Sequence, residues 1–230
     1  MNDRVSVDLK DGVADVRLVR ADKMNALDNA MFEALIQTGE RLQAEAGLRA
    51  VVLSGEGRAF CAGLDMGNFQ AMASGERVGG EGSAGALVTR NRTPGGANRA
   101  QHAVMVWREI PVPVIAAVHG FAYGGGYQLQ LSADLRFVAP DAKLSVFEIR
   151  WGLIPDMAGM ALLRGLVRDD VARDLLYSGR IFSGEEALQM GLATRVCADP
   201  RAEALAYARE VAQKNPHAIR AGKRLLNLAA

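Results

Sequence analysis

Two short β-branched runs, each closed by glycine, constrain the fold of this chain more than any other feature. They are "RAVVLSGEG" at 49–57 and "VPVIAAVHG" at 112–120. Continuous apolar runs of this length are typical of strands buried on both faces, as in parallel sheets. Further strands are predicted at Leu135–Pro140 and Lys143–Phe147, and helical patterns alternate with them. The alternation predicts an α/β layered fold with parallel strands.

The two ends of the chain differ in pattern. Val5–Leu18 alternates around Lys10-Asp11-Gly12 and predicts a β-hairpin. A helix capped by Asp28 and ended by Gly47 follows. From Ala158 onward the pattern is helical, with a capping box formed by Ser183 and Glu186. We therefore expect a sheet-based core over residues 1–195 and an all-helical region over 196–230. We expect this helical region to be incomplete.

Composition excludes several classes of function. The 230 residues carry a net charge of +1, which gives no reason to expect binding to nucleic acid or an anionic membrane. No apolar run approaches the roughly 18–20 residues that span a bilayer, and the N-terminus lacks a signal-peptide pattern. Two cysteines and three dispersed histidines fit no disulfide framework or metal site. These features predict a cytoplasmic protein without a bound metal.

The segment Ala71–Ala100 differs from its surroundings, with seven glycines, four arginines and little periodicity. Loops of this length in compact domains are usually lids, binding loops or disordered segments. We expect a loop here. Its arginines, Arg90, Arg92 and Arg99, are candidates for binding phosphate, but solvated surface charge is the favoured interpretation.

Two glycine-rich turns follow predicted strands, at Gly57–Asp65 ("GRAFCAGLD") and at 122–128 ("AYGGGYQ"). Ligands bind open α/β sheets outside the carboxyl ends of the strands, and glycine lets a ligand approach the backbone. Amides from two such turns would form an oxyanion hole. From spacing alone, tight packing of helix on strand explains Gly124–Gly126 equally well.

Two acids lie in an apolar setting, within "SVFEIRWGLIPDMAGM". Glu148 stands between Phe147 and Ile149, where poor solvation would raise its pKa toward that of a useful general base. A salt bridge to Arg150 or to another arginine is the structural alternative. Asp156, which follows Pro155, is a second candidate, and for it a helix N-cap is the slightly favoured alternative.

The sequence resembles the crotonase superfamily, the enoyl-CoA hydratases and isomerases, from Val5 to about Ala208. The resemblance is carried by "RADKMNALDNAMFEAL", "VVLSGEGRAFCAGLDM", "IPVPVIAAVHGFAYGGGYQLQLSADLRFVAPDAKLSVFEIRWGLIP" and "YSGRIFSGEEALQMGLATRV". It implies a spiral of ββα units with a C-terminal helical trimerisation region, assembled as a homotrimer or a hexamer. It also implies an acyl-CoA thioester substrate, with coenzyme A entering as part of the substrate and no separate cofactor.

The resemblance further assigns residues. It implies that the backbone amides of Ala62 and Gly125 form the oxyanion hole for an enolate, with Glu148 and Asp156 as the catalytic acids. It implies substrate and CoA contacts at Lys23, Ala26, Ala62, Gly63, Leu64, Asp65, Gly124 and Gln128.

Gln128 is the most informative departure from the family pattern. By the resemblance, hydratases of the family carry a glutamate at the position that Gln128 occupies here. A glutamine cannot take a proton from water. The second glutamate position is filled by Glu148. Asp156 occupies a third position, where dienoyl-CoA isomerases resemble this chain in carrying an aspartate. The pattern favours double-bond isomerisation, with Gln128 positioning the acyl chain. A hydratase and a non-catalytic CoA-ester-binding protein are the alternatives.

Overall fold

The computed structural model describes residues 3–65, 67 and 92–229 of the chain. Most of the predicted loop, including Arg90, lies outside the described residues. No helix among the described residues is long and apolar enough to cross a bilayer.

Nine strands of the described residues form two sheets. They are β1 Val5–Lys10, β2 Val13–Leu18, β3 Ala50–Gly55, β4 Val114–Val118, β5 Phe121–Tyr123, β6 Leu135–Val138, β7 Lys143–Ser145, β8 Phe182–Ser183 and β9 Arg195–Val196. The larger sheet has the order β1-β2-β3-β4-β6-β9, and only its β1–β2 pair is antiparallel. The smaller sheet has the order β5-β7-β8. The predicted parallel α/β arrangement is confirmed.

Helices cover both faces of the larger sheet. They are α1 Asn29–Gln43, α2 Arg99–Glu109, α3 Gly125–Leu131, α4 Gly159–Arg164, α5 Asp169–Ser178, α6 Gly184–Gln189, α7 Pro200–Ala212 and α8 Pro216–Ala229. One face packs into the main core with side chains of α1, α2 and α3. The other face of the sheet packs on Ala204 and Ala208 of α7. Each buried strand thus contributes side chains to two apolar layers, which explains its continuous apolar sequence.

The predicted hairpin and its local signals are confirmed. Strands β1 and β2 pair around Asp11 and Gly12, whose φ angles of 51° and 78° fit the two-residue turn that hairpin twist favours. Asp28 caps α1 by accepting a hydrogen bond from the Met31 amide. The predicted end at Gly47 is wrong, because α1 ends at Gln43.

The C-terminal third departs from the all-helical prediction. It contributes β8 to the smaller sheet and β9 to the larger one, and both strands have only two residues. Strands this short carry no periodicity that a sequence could reveal. The predicted division at residue 195 falls inside β9, and it stays a prediction.

A sharp turn at Gly120 carries the chain from one sheet to the other. Gly120 has a φ of +60°, and a Cβ atom built on it would overlap the Arg58 carbonyl oxygen. Only glycine fits this close approach without strain. The turn sets β5 beside Cys61, which forms a parallel bridge with Ala122. The second glycine-rich turn is thereby placed next to the first.

Candidate active site

Three chain segments lie side by side where the glycine-rich turns meet. Residues 61–65 form the middle segment, which pairs on one side with 24–27 and on the other with 121–123. The Leu27 amide donates to the Gly63 carbonyl (2.8 Å), and the Tyr123 amide donates to the Cys61 carbonyl (3.2 Å). The two glycine-rich turns thus lie next to each other.

The amide of Ala62 is not free to bind a substrate oxygen. It donates to the Met24 carbonyl at 3.0 Å, as part of the pairing between the two segments. The assignment of Ala62 to the oxyanion hole is therefore wrong. Leu64, two residues further along the same segment, has an N–H with no acceptor among the described residues. The pairing of this segment with residues 24–27 uses the amides of Leu27 and Asp65, which donate to the carbonyls of Gly63 and Leu27, and it leaves the Leu64 amide out.

The second free amide belongs to Gly125, at the start of α3. The first N–H groups of a helix have no partner within the helix, and that of Gly125 has none elsewhere in the described chain. A Cβ atom built on Gly63 would lie 3.6 Å from the Gly125 nitrogen. The amides of Leu64 and Gly125 thus flank Gly63, which suits them to hold one oxyanion.

Gly124 sets the glutamate beside these amides. Its φ of 50° and ψ of −119° belong to a region that only glycine adopts readily. A Cβ atom at Gly124 would lie 3.4 Å from Glu148 Oε1 and 3.9 Å from Oε2. Glu148 is the first residue of a short 3-10 helix that ends at Trp151. Its carboxyl group therefore lies against the residue that precedes the Gly125 amide.

Glu148 makes no salt bridge with Arg150 or with any other arginine among the described residues, so that alternative is wrong. Arg150 donates instead to the Gly179 carbonyl (3.0 Å) and stacks over the Phe147 ring. The Oε2 atom of Glu148 is buried and has no hydrogen-bond partner among the described residues. Burial raises the pKa of Glu148, the Gln128 amide lowers it in part, and the charge of Asp156 raises it further. A carboxylate with an unpartnered buried oxygen is suited to accept a proton.

Asp156 lies half-buried in the turn that precedes α4. The N-cap interpretation is wrong, because the residue at the N-cap of α4 is Ala158, with no side-chain cap. Burial raises the pKa of Asp156. Its charge also raises the pKa of Glu148.

Gln128 is buried, with 1% of its surface exposed, and its polar atoms have partners inside the protein. Its Oε1 accepts hydrogen bonds from the amides of Met157 and Gly159, both at 2.9 Å. Its Nε2 donates to Glu148 Oε1 at 2.6 Å. The structure thus directs Gln128 toward Glu148 and the turn at 157–159, and not toward an acyl chain as the sequence suggested.

The remaining residues assigned to CoA lie in or next to the segments 24–27 and 61–65. Lys23 is exposed, Ala26 is buried, and Ala26 accepts a hydrogen bond from Arg20 at 2.9 Å. Arg20 also pairs with Asp65 at 2.6 Å, and Asp65 accepts from the Gly67 amide. Partial burial alone would raise the pKa of Asp65, but these two hydrogen bonds lower it. Asp65 therefore joins the two segments, while backbone atoms and Lys23 remain the candidates for CoA.

Two of the arginines considered for phosphate binding have partners on the protein. Arg92 donates to Gln101, and Arg99 donates to the Asn29 carbonyl. No group of His, Cys, Asp and Glu in the described part of the chain could hold a metal ion.

Comparison with known proteins identifies the family. The family model of enoyl-CoA hydratase/isomerase matches residues 8–230. The chain belongs to the enoyl-CoA hydratase/isomerase family. A Bacillus subtilis protein named "Probable enoyl-CoA hydratase" is 35% identical over 199 residues, covering 85% of this chain and 71% of that protein. Human mitochondrial Delta(3,5)-Delta(2,4)-dienoyl-CoA isomerase is 32% identical over 217 residues, covering 92% of this chain and 64% of that protein.

Solved structures of the family confirm the expected crotonase fold. An enoyl-CoA hydratase/isomerase of Mycobacterium paratuberculosis has a TM-score of 0.85 at 26% identity, covering 99% of this chain and 86% of that chain. A Thermobifida fusca structure solved in complex with CoA has a TM-score of 0.85 at 30% identity, with the same coverage. An acyl-CoA substrate is consistent with this family membership. The relatives include both hydratases and isomerases, so the family alone does not select the reaction.

Sequence reasoning placed the first oxyanion amide two residues too early. The choice between Ala62 and Leu64 depends on which N–H groups the neighbouring segment at 24–27 occupies. That neighbour is distant in sequence, and its pairing register leaves no local signal. Sequence reasoning also missed Met157 and Gly159, whose amides hold Gln128.

Proposed function

We propose that this protein is an enoyl-CoA isomerase, which moves a double bond of an acyl-CoA thioester by proton transfer. One observation carries the proposal: the side chain hydrogen-bonded to Glu148 beside Gly124 is the amide of Gln128, not a second carboxyl group. Addition of water in this family is expected to need two acids around the water. Double-bond migration needs one base and a site that holds an enolate.

The reaction begins with the thioester oxygen accepting hydrogen bonds from the amides of Leu64 and Gly125. Glu148 Oε2 then removes a proton from the carbon next to the carbonyl. The electron pair left behind moves into the carbonyl, and the two amides stabilise the resulting oxyanion. A proton is returned at the far end of the conjugated system by Glu148 or Asp156, and the double bond shifts. Protons balance over the cycle, and the reaction needs no cofactor beyond the CoA of the substrate.

The environment of the two carboxyl groups favours their protonated forms. Burial raises the pKa of both Glu148 and Asp156, and the charge of Asp156 further disfavours ionisation of Glu148. A site of this kind holds a base and an acid at the same pH. We expect kcat/KM to fall on the acid side as the base is protonated and on the alkaline side as the acid is lost.

Hydration of a 2-enoyl-CoA is the second candidate, and the hydratase names of several relatives favour it. In that reaction Glu148 would act alone on a water molecule, because Gln128 can orient water but cannot ionise. A non-catalytic CoA-ester-binding role has less support, because Glu148 and the two free amides lie together.

A panel of enoyl-CoA esters, assayed separately for double-bond migration and for water addition, tests the proposal. The panel should vary chain length and double-bond position, because the acyl group is set by parts of the pocket that these residues do not define. We expect migration to exceed hydration by at least 100-fold for the preferred ester. Efficient hydration of crotonyl-CoA with no migration of any ester would overturn the proposal.

A further inference from the structure

The orientation of the Gln128 side chain is fixed by its partners. Two backbone N–H groups, of Met157 and Gly159, point at the same atom of the amide. That atom must be the oxygen, since an amide nitrogen accepts no hydrogen bond. The nitrogen of Gln128 must therefore face Glu148, and it donates to Oε1 at 2.6 Å.

This hydrogen bond gives the two oxygens of Glu148 different roles. Oε1 accepts from Gln128 and so cannot carry a proton directed at that nitrogen. Oε2 is buried and has no partner among the described residues. Oε2 is therefore the oxygen whose lone pairs are both left open to a proton. Because Gln128 is anchored at both ends, it also couples Glu148 to the turn that carries Asp156.

We propose that Gln128 is a positioning residue: it holds Glu148 Oε1 in a fixed hydrogen bond and reserves Oε2 for proton transfer. This inference rests on the proposed function, because it assumes that Glu148 is the base. It replaces the expected contact between Gln128 and the acyl chain.

The charged and titratable groups around Glu148 determine what a substitution would do. Among the described residues, Asp156 faces it from the turn before α4, and the Tyr127 phenol lies near it on α3. A glutamate at position 128 could still accept from Met157 and Gly159, but it would bring a second carboxylate against Glu148 Oε1. Two carboxyl groups at that distance cannot both be ionised. They therefore share one proton between them.

The variant Gln128→Glu therefore separates the two roles of Gln128. It keeps the acceptor for the two amides and removes only the donor to Glu148. We expect the carboxyl titration of Glu148, followed by carbon-13 NMR, to move up by at least one pH unit, with the acid limb of kcat/KM moving equally. KM should change less than threefold. Gln189→Glu, which adds the same charge at an exposed position of α6, should move neither.

The swapped variant, Gln128→Glu with Glu148→Gln, provides the second test. It restores one amide and one carboxylate joined by a hydrogen bond, so thermal stability at pH 8 should return to within about 2 °C of the wild type. Turnover should remain at least 100-fold lower, because both oxygens of a carboxylate at position 128 would be occupied. A swapped variant with wild-type turnover would overturn the inference.

The two proposals fail differently. If Glu148→Gln alone retains turnover, Glu148 is not the base and the proposed function fails. If Glu148→Gln abolishes turnover but Gln128→Glu leaves the titration of Glu148 and the acid limb within 0.3 pH units of the wild type, only the positioning role of Gln128 fails.

Discussion

At the scale of single residues, the site depends on which backbone and side-chain atoms are already occupied. The Ala62 amide and both polar atoms of Gln128 have partners, whereas the amides of Leu64 and Gly125 and one oxygen of Glu148 have none among the described residues. Unpartnered polar groups are costly where they are buried, and a catalytic role is one reason for a protein to keep them. These three groups are therefore the ones that we expect a substrate to contact.

Replacing the amide of Leu64 by an ester removes one oxyanion donor without changing the side chain. We expect kcat to fall by about 100- to 1000-fold, as for other oxyanion donors, with little loss of stability. The same replacement at Ala62 breaks the bond to Met24 and should lower the free energy of unfolding by about 1 kcal/mol. Steady-state kinetics and urea denaturation of both variants measure these effects. A larger loss of kcat at Ala62 than at Leu64 would reverse the assignment.

The buried carboxyl of Glu148 should reduce stability at neutral pH. A carboxyl group whose pKa is raised on folding binds its proton more tightly in the folded state. Its stabilising contribution is full at pH values below the unfolded pKa and is lost as the pH rises through the folded pKa. Glu148→Gln should therefore have a higher Tm than the wild type at pH 8 and no advantage at pH 4. Calorimetry across that range measures the difference.

Glu186 provides the control of opposite sign. Its carboxylate accepts from the Ser183 amide and from Arg180, and these bonds lower its pKa. Glu186→Gln should lower Tm at pH 8, with the loss shrinking as the pH falls through the carboxyl range. Equal behaviour of the two variants would show that the pKa of Glu148 is not raised.

At the scale of elements, much of the fold was predictable from local signals. Asp28 at the start of α1, Asp11-Gly12 in the hairpin and Ser183 with Glu186 at α6 each act within a few residues. The buried strands β3 and β4 were predictable because both of their faces are covered. Strands β8 and β9 were not, because two residues paired with a distant strand leave no periodic pattern.

Helix α8 shows a long-range contact that sequence reasoning missed. The Oδ2 atom of Asp134 accepts from the Val114 amide and from Lys223 Nζ. Lys223 is 8% exposed, is the one buried residue of α8, and also donates to the Val112 carbonyl. Lys223 thus attaches α8 to the start of β4, beside two weaker side-chain contacts of α8, from Arg220 to the Leu48 carbonyl and from Asn227 to the Arg108 carbonyl.

Lys223→Met tests this attachment. It keeps most of the apolar stem and removes the charge that balances Asp134. We expect a loss of about 3 kcal/mol in the free energy of unfolding, the lower end for breaking a buried pair, and faster hydrogen exchange along α8. Lys214→Met, at an exposed ion pair with Glu210, should change stability by less than about 1 kcal/mol. Similar effects of the two variants would contradict the attachment.

At the scale of the whole molecule, large apolar side chains lie exposed near the site and on α8. Ile154 near the site and Leu226 and Leu228 on α8 are each more than 70% exposed. Scattered apolar residues need no explanation, whereas contiguous apolar patches are typical of interaction surfaces. Family resemblance implied a homotrimer or a hexamer, and this stays a prediction.

Light scattering during size-exclusion chromatography measures the assembly directly. We expect a mass of three or six times the 24.6 kDa of the chain, unchanged between micromolar and tens of micromolar protein. Burial of apolar surface should keep the assembly intact in 1 M salt, since screening acts on charges. A mass of one chain at all concentrations would contradict the prediction.

The role of Glu148 in proton transfer is the central claim, and the variant Glu148→Gln tests it most directly. The measurement is turnover of the preferred enoyl-CoA ester together with the Kd of the same ester, determined by calorimetry. We predict that turnover falls by at least 1000-fold while Kd changes less than threefold, because the amide keeps the shape of the side chain but cannot accept the proton. Turnover within tenfold of the wild type would contradict the claim.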